Sequence, residues 1–394
     1  MTTNHLRPPL DGVLVINAGQ ILAAPFCATI LAEFGADVIK VERPGSGEPN
    51  HGTISYVQEN RSQRGVTCNL ADARGKELFR GLCERADVLI ENFRPGTLEK
   101  MELAPDSLRE LNPGLVVTRV SGYGQTGPYR ERAGFDRVAL GFAGMTYATG
   151  WADGPPVRPG YMVADYSAGL TAAMGTMMAL RARDVNGGVG QDVDVALYEA
   201  IWKQSGTHAS QFFRTNENRE RTGNYWPGVV PAEQWQTADG HHLIINATTQ
   251  GTFVRLTAAM QRPDLLKDPR FEDQRDRRRN YEAIHEIVGE WIGTLTLEQV
   301  QRLLDEHGVP ATKVYATSDV MSDEHYVARE QIVDVPSEQH GILPQPGVVP
   351  RLSKTPGKVK HRAPTLGEHN QEIYGGMLGI SDGDLARLSA DGVI

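Results

Sequence analysis

The chain has 394 residues, 40% hydrophobic and 23% charged, enough for two globular domains with substantial cores. A net charge of -9 and a pI near 5.7 exclude the broad basic face that a nucleic-acid backbone requires. No apolar run approaches the roughly 18 residues of a membrane span, and the N-terminal MTTNHLRPPLDG has no basic-then-apolar leader, so a cytoplasmic protein without a membrane partner is expected.

In chain order, Gly12–Asn17 (GVLVIN) reads as a buried strand, Ile21–Phe34 as a helix and Ala36–Val41 (ADVIKV) as the next strand, a βαβ unit. The alternation continues with a helix over Asp72–Arg85, a strand over Asp87–Ile90, a helix over Pro105–Leu111 and a strand over Leu115–Arg119. A parallel sheet is the expected result. The first strand-to-helix turn, Asn17-Ala18-Gly19-Gln20, lacks GxGxxG, which counts against a nicotinamide-dependent dehydrogenase. A turn at the carboxyl edge of such a sheet is still a natural place for a phosphorylated ligand. ERPGSGEP leaves the second strand and ENFRPG the third, so Arg43 and Arg94, with Arg61 and Arg64 nearby, suggest an anion site on one edge. Phe93 can either stack on a planar base or pack onto the core.

The stretch Gly160–Arg183 is apolar all round and is predicted to be buried on most sides, with Asp165 at its exposed start. Residue type alone leaves two readings of Asp165. As an N-cap it would accept from the Ser167 or Ala168 amide; as a poorly solvated carboxylate it would be a nucleophile. From about Gln211 a polar, turn-rich segment reads as a linker. A smaller α/β unit follows, with a strand over His241–Asn246, helices over Thr252–Met260, Ala283–Ile292 and Leu297–His307, and the charge run FEDQRDRRRNYE as a solvated helix start. After Ala316 the chain is expected to return to the first domain. Cys27, Cys68 and Cys83 have neither disulfide nor metal spacing and are expected to be buried thiols, and no metal site is predicted. His51 and His208 read as structural or surface groups.

GADVIKVERPGSGEP, ENFRPG, LNPGLVVTRVSGYGQTGPY, TGWADGPP, ADYSAGL, QDVDVALYEA and LGEHN, collinear from about Leu10 to about His369, together resemble the class III CoA-transferase family. That family includes formyl-CoA:oxalate and carnitine CoA-transferases and shares its fold with α-methylacyl-CoA racemases. The resemblance implies an α/β protein: a Rossmann-like large domain with a parallel sheet (1–210 and 317–394), a linker (211–224), a smaller α/β domain (225–315), and an interlocked homodimer. It places the nucleophile on Asp165. It places the CoA site on Ala18, Gly19, Gln20, Arg43, Asn92 and Phe93, with Arg61, Asn69 and Leu70 bordering the nucleotide. CoA is then a substrate, no cofactor is needed, and the partners are an acyl-CoA and a small carboxylic acid. The implied route runs through an aspartyl anhydride and an aspartyl-CoA thioester, with backbone amides near Gln20 and at the start of the Asp165 helix as oxyanion donors.

Two departures narrow the reading. The glycine run of oxalate-specific members is replaced by YWPGVVPAEQW, against oxalate, and the GHD triplet of racemases reads Gly134-Phe135-Asp136, against racemisation. An acyl-CoA racemase or a non-catalytic acyl-CoA-binding protein are the alternatives.

Overall fold

The computed structural model describes residues 6–226 and 228–394, and the chain divides into two compact units. The first comprises the chain up to Tyr147, Val157–Arg219 and Val327–Ile394; the second comprises Ala148–Pro156 and Glu220–Tyr326. The short piece Ala148–Pro156 thus belongs with the second unit, and the return falls at Val327 rather than 317. Residues 211–215 of the expected linker are helical, within His208–Thr215.

The first unit is built on six parallel strands: β1 (Leu14–Asn17), β2 (Asp37–Glu42), β3 (Arg64–Thr67), β4 (Val88–Glu91), β5 (Val116–Ser121) and β6 (Asp192–Ala196). Their order is β3-β2-β1-β4-β5-β6. Strands β3 and β6 are additional to the expected ones; RGVT is only four residues long, and DVDVA alternates acidic residues because it lies at an edge. ENFRPG therefore leaves the fourth strand, not the third. The central strands are apolar on both faces: Val15 and Ile90 point to one core and Ile16 and Leu89 to the other. The chain leaves β1 for β2 and then crosses back to β4 on the other side, so a crevice opens beyond the carboxyl ends of β1 and β4.

Helix α1 (Ala23–Glu33) follows β1 directly, and α2 (Ala73–Arg85), capped by Asp72 on the Arg74 amide at 2.8 Å, covers the opposite face. Further along come α3 (Asp136–Phe142), α4 (Val163–Val185) and α5 (Leu197–Trp202). Helix α4 packs on α1 through small residues, Ala164, Ala168, Ala172 and Gly169, and its Thr176 hydroxyl meets Thr118 of β5 at 2.6 Å. The expectation of burial on most sides does not hold. Leu170, Met174, Met177 and Met178 form an exposed stripe on the other face. Among the described residues nothing covers this stripe, so the helix is apolar all round and yet not enclosed.

The second unit has an antiparallel sheet of β7 (Ala232–Gln236), β8 (His242–Asn246) and β9 (Ala311–Lys313). Helices Gln250–Ala259, Tyr281–Gly293 and Leu297–Glu306 enclose a core around Leu243, Phe253, Ile284, Val288 and Leu304. The charge run starts helix Gln274–Arg279, capped by Asp273, but it is not wholly solvated. Arg277 is fully buried over the Phe253 ring and donates to Gln250 Oε1 and the Phe271 carbonyl. All three cysteines are buried and unpaired. Among the described residues, no helix is long and apolar enough to cross a membrane.

A Cβ on Gly169 would stand 2.8 Å from both the Ala23 carbonyl oxygen and Phe26 Cδ1, so α1 and α4 approach here as only glycine permits. Gly169→Val is expected to cost about 1 to 3 kcal/mol of stability, the range for overpacking. Urea unfolding checks this, and an unshifted midpoint would show that the helix pair yields freely.

Candidate active site

The turn between β1 and α1 is held by buried charge. Lys40, fully buried on β2, donates to the Gly19 carbonyl and lies 3.1 Å from Glu48 Oε2. The same Glu48 oxygen accepts from the Ile21 amide at 2.9 Å, while Asn50 donates to the Ile21 carbonyl at 3.2 Å. Ile21 has φ +68°, a left-handed conformation costly for a β-branched residue, and the clamp on both of its backbone groups keeps it there. Glu42 extends the network, accepting from the Glu48 amide, the Tyr56 hydroxyl and His51. Burial pushes the Glu42 carboxyl up, but hydrogen bonds from His51 and Tyr56 and the charge of Lys40 outweigh it and hold it below the usual range.

The loop after β4 is fastened to this turn. Asn92 Oδ1 accepts from the Gln20 amide and its Nδ2 donates to the Gln20 carbonyl, both at 2.8 Å. Glu91, buried beneath, accepts from Arg119 Nε at 2.7 Å and from the Phe93 amide at 2.6 Å. Phe93 consequently packs partly on the core and partly lines the crevice.

Asp136, at the start of α3 and 4% exposed, is the side chain that caps α4. Its Oδ1 accepts from the Ala164 amide at 2.8 Å and the Asp165 amide at 3.3 Å, and the preceding Met162 offers no cap. The cap reading of Asp165 is thereby corrected: its helix is capped from another segment. No hydrogen bond to the Asp165 carboxylate is found among the described residues. Burial, and then the charge of Asp136, push the Asp165 carboxyl up to about 7. The following Tyr166 donates to buried Glu59 at 2.8 Å and meets Phe26 edge-on, which fixes the start of α4 against α1. Asp165 lines a cavity of about 280 Å³ with Gln20, Ile21, Phe93, Arg94 and Arg132.

Of the residues expected from sequence, Gln20, Asn92, Phe93 and Asp165 meet at this cavity, with Ala18 and Gly19 buried in the turn beneath. Arg43 is exposed just past β2, and its guanidinium has no partner among the described residues. Asn69 and Leu70 stand past β3, two strands from β1; Asn69 turns back to the Ala71 amide and Leu70 packs on the core. Arg61 is not available to a nucleotide, because it is buried in an ion pair with Glu33 at 2.6 Å and donates to Gln345. Arg64 likewise pairs with Asp37 and Glu372. The amides expected as oxyanion donors are occupied: Gln20 by Asn92, Ala164 and Asp165 by Asp136. Sequence reasoning missed Lys40, Glu48, Arg132 and the capping role of Asp136. A lysine inside the otherwise buried strand DVIKVE was the readable signal for the first of these.

The raised Asp165 carboxyl binds its proton more tightly folded than unfolded, so its contribution to stability is complete below the unfolded value of 3.8 and is lost as pH rises towards about 7. Asp165→Asn is therefore expected to stabilise the fold increasingly between these pH values, by at most about 4 kcal/mol, and to level off above them. Melting temperatures measured from pH 4 to 8 check this; a difference independent of pH would contradict it.

The family model of CoA-transferase family III matches residues 10–370. The chain is 40% identical to the succinyl-CoA–D-citramalate CoA-transferase of Chloroflexus aurantiacus, over 100% of both chains. It is 35% identical to the succinyl-CoA:mesaconate CoA-transferase of Haloarcula hispanica, over 92% of this chain and 95% of that one. Among solved structures, a CAIB/BAIF family protein from Brucella suis superposes with a TM-score of 0.84 at 31% identity, covering 94% of this chain and 100% of that one. A match of this extent in sequence and fold means that the chain belongs to CoA-transferase family III and is an enzyme that transfers CoA from an acyl-CoA thioester to a carboxylic acid.

Proposed function

We propose that Asp165 is the nucleophile and that the enzyme exchanges CoA between short dicarboxylic acids, with succinyl-CoA as donor. The observation that carries the first part is the Asp165 carboxylate itself, which lines the cavity with no helix start to cap and no ion pair among the described residues. The second part is supported by the relatives, whose names pair succinyl-CoA with citramalate, malate and mesaconate.

In this reading the Asp165 carboxylate attacks the donor thioester carbonyl, giving a mixed anhydride and CoA thiolate. The thiolate attacks the aspartyl carbonyl of that anhydride, which frees the donor acid and leaves CoA on Asp165. The acceptor carboxylate attacks this thioester and expels the thiolate, and the thiolate then takes the acceptor's acyl carbon and restores Asp165. Each attack places negative charge on a carbonyl oxygen. Leu22 and Ala23, at the start of α1, line the cavity; their amides have no acceptor among the described residues and lie at the positive end of that helix, which makes them the donors for this charge in this reading. Only the deprotonated Asp165 attacks, so kcat/KM rises with pH through the Asp165 titration near 7. A racemase would need a base at Phe135, whose ring lines the cavity and cannot accept a proton.

Arg43 and Arg94, exposed and unpaired among the described residues, serve the CoA phosphates. The protein acts as a homodimer, with a second copy over the Leu170, Met174, Met177 and Met178 stripe, since isolated chains rarely leave so continuous an apolar surface to water. Buried unpaired thiols suit a reducing cytoplasm.

Asp165→Asn is expected to reduce CoA transfer from succinyl-CoA to a panel of acids to background while the protein stays folded; a D165N variant with substantial turnover would contradict the nucleophile. Met174→Glu combined with Met178→Glu is expected to yield aggregated or monomeric protein in sedimentation, and a wild type that sediments as a monomer would remove the dimer.

A further inference from the structure

The cavity around Asp165 contains a second charged group that the transfer steps do not use. Arg132 lines it, and the loop bearing Arg132 runs through Ala133, Gly134 and Phe135 straight into Asp136, the residue that caps the Asp165 helix. That loop is pinned at the end of β5, where the backbones of Gly134 and Gly122 touch so closely that a Cβ on either would fall under 3 Å from the other's Cα. One short segment therefore sets both the position of Asp165 and that of Arg132.

The Arg132 side chain is also held in place. Its guanidinium lies 3.6 Å from the centroid of the Tyr129 ring, and the Arg132 amide donates to the Tyr129 carbonyl at 2.9 Å. Tyr129 is itself packed edge-on against Tyr123 and Phe142. Stacking occupies the face of the guanidinium and leaves its N–H edge, which has no carboxylate or carbonyl partner among the described residues. A planar cation fixed by its face, with its donor edge unspent, is the geometry that binds a carboxylate with two parallel hydrogen bonds. Among the described residues Asp165 is the only carboxylate lining the cavity, and in the proposed transfer it reacts rather than pairs.

Resting on the dicarboxylate reading above, we propose that Arg132 selects the acid, binding the carboxylate that does not react while the other carboxyl group meets Asp165. Arg94 lies in the ENFRPG loop beside Phe93 and serves the CoA portion, so the two arginines divide the negative charges of an acyl-CoA between them. A monocarboxylic acid would leave the Arg132 edge without a partner and gain nothing from it.

The test is the acceptor specificity of wild type, Arg132→Gln and Arg132→Lys. In a ping-pong transfer kcat/KM for the acceptor reports only the half-reaction that begins with CoA on the enzyme, so one donor, succinyl-CoA, serves for all acids. Glutarate, mesaconate and citramalate are compared with butyrate and valerate. Wild type is expected to favour the dicarboxylates, and Arg132→Gln to lower their kcat/KM about 10- to 100-fold, the range for a hydrogen-bonded ion pair, while butyrate and valerate change by less than about twofold. Arg132→Lys is expected to fall between the two, and Tyr129→Leu to lose part of the preference. Equal losses for both classes of acid, or a full preference retained in Arg132→Gln, would overturn the role of Arg132 alone. A wild type that favours butyrate and valerate would overturn the dicarboxylate reading and this proposal with it.

Discussion

At the start of α4, two successive backbone amides donate to one buried carboxylate from another segment, Asp136, and the state of Asp165 depends on that bond. A helix start normally takes an acidic side chain from its own first turn, and the helix dipole then lowers that group's pKa with a strength of about 0.3 to 1 kcal/mol. Here the position is already filled. The Asp165 carboxylate is left without a hydrogen bond among the described residues, partly buried and beside a second carboxylate, and the sum raises its pKa to about 7 instead. Burial and like charge outweigh the dipole, and the result is a carboxylate more basic, hence a better attacking group, than one exposed to water. The arrangement costs stability, which is the usual sign of a residue kept for chemistry.

The opposite wall of the cavity is built by the same logic with the signs reversed. Lys40 and Glu48 are both buried and sit 3.1 Å apart, a pairing that contributes little net stability but loses much if one partner is removed. Its purpose is geometric. Lys40 holds the Gly19 carbonyl, Glu48 the Ile21 amide, and Asn92 both groups of Gln20, so the strained turn has one conformation. Every amide of the turn from Ala18 to Ile21 is thereby committed, and the first without an acceptor among the described residues are those of Leu22 and Ala23. That ordering is why the proposed route assigns the oxyanion to Leu22 and Ala23 rather than to Gln20.

Much of the architecture was legible in local patterns. Buried apolar runs such as GVLVIN and ADVIKV marked the parallel strands, and the missing GxGxxG turned attention from a dinucleotide to another phosphorylated ligand. The strands RGVT and DVDVA escaped because one is too short for a periodic signal and the other alternates charge at a sheet edge. The composition of α4 was read as burial, but apolar residues on all sides do not say that one chain covers them all, and here the face with Leu170, Met174, Met177 and Met178 is exposed. The site was legible where it lies within a single loop, as at Gln20 and Asn92. It was not where a residue acts across the fold: nothing local in GFD says that Asp136 caps a helix 27 residues further on, and nothing in ENRSQRG says that Arg61 pairs with Glu33.

The central claim is that CoA is carried covalently on Asp165, and the most direct measurement is the mass of that residue during turnover. Enzyme mixed with succinyl-CoA and no acceptor, quenched and digested, is predicted to yield the Asp165 peptide heavier by CoA, and hydroxylamine added before quenching is predicted to convert Asp165 to its hydroxamate. Anhydrides and thioesters both react in this way, whereas an ordinary carboxylate does not. An unmodified Asp165 peptide under conditions where the enzyme turns over would contradict the account.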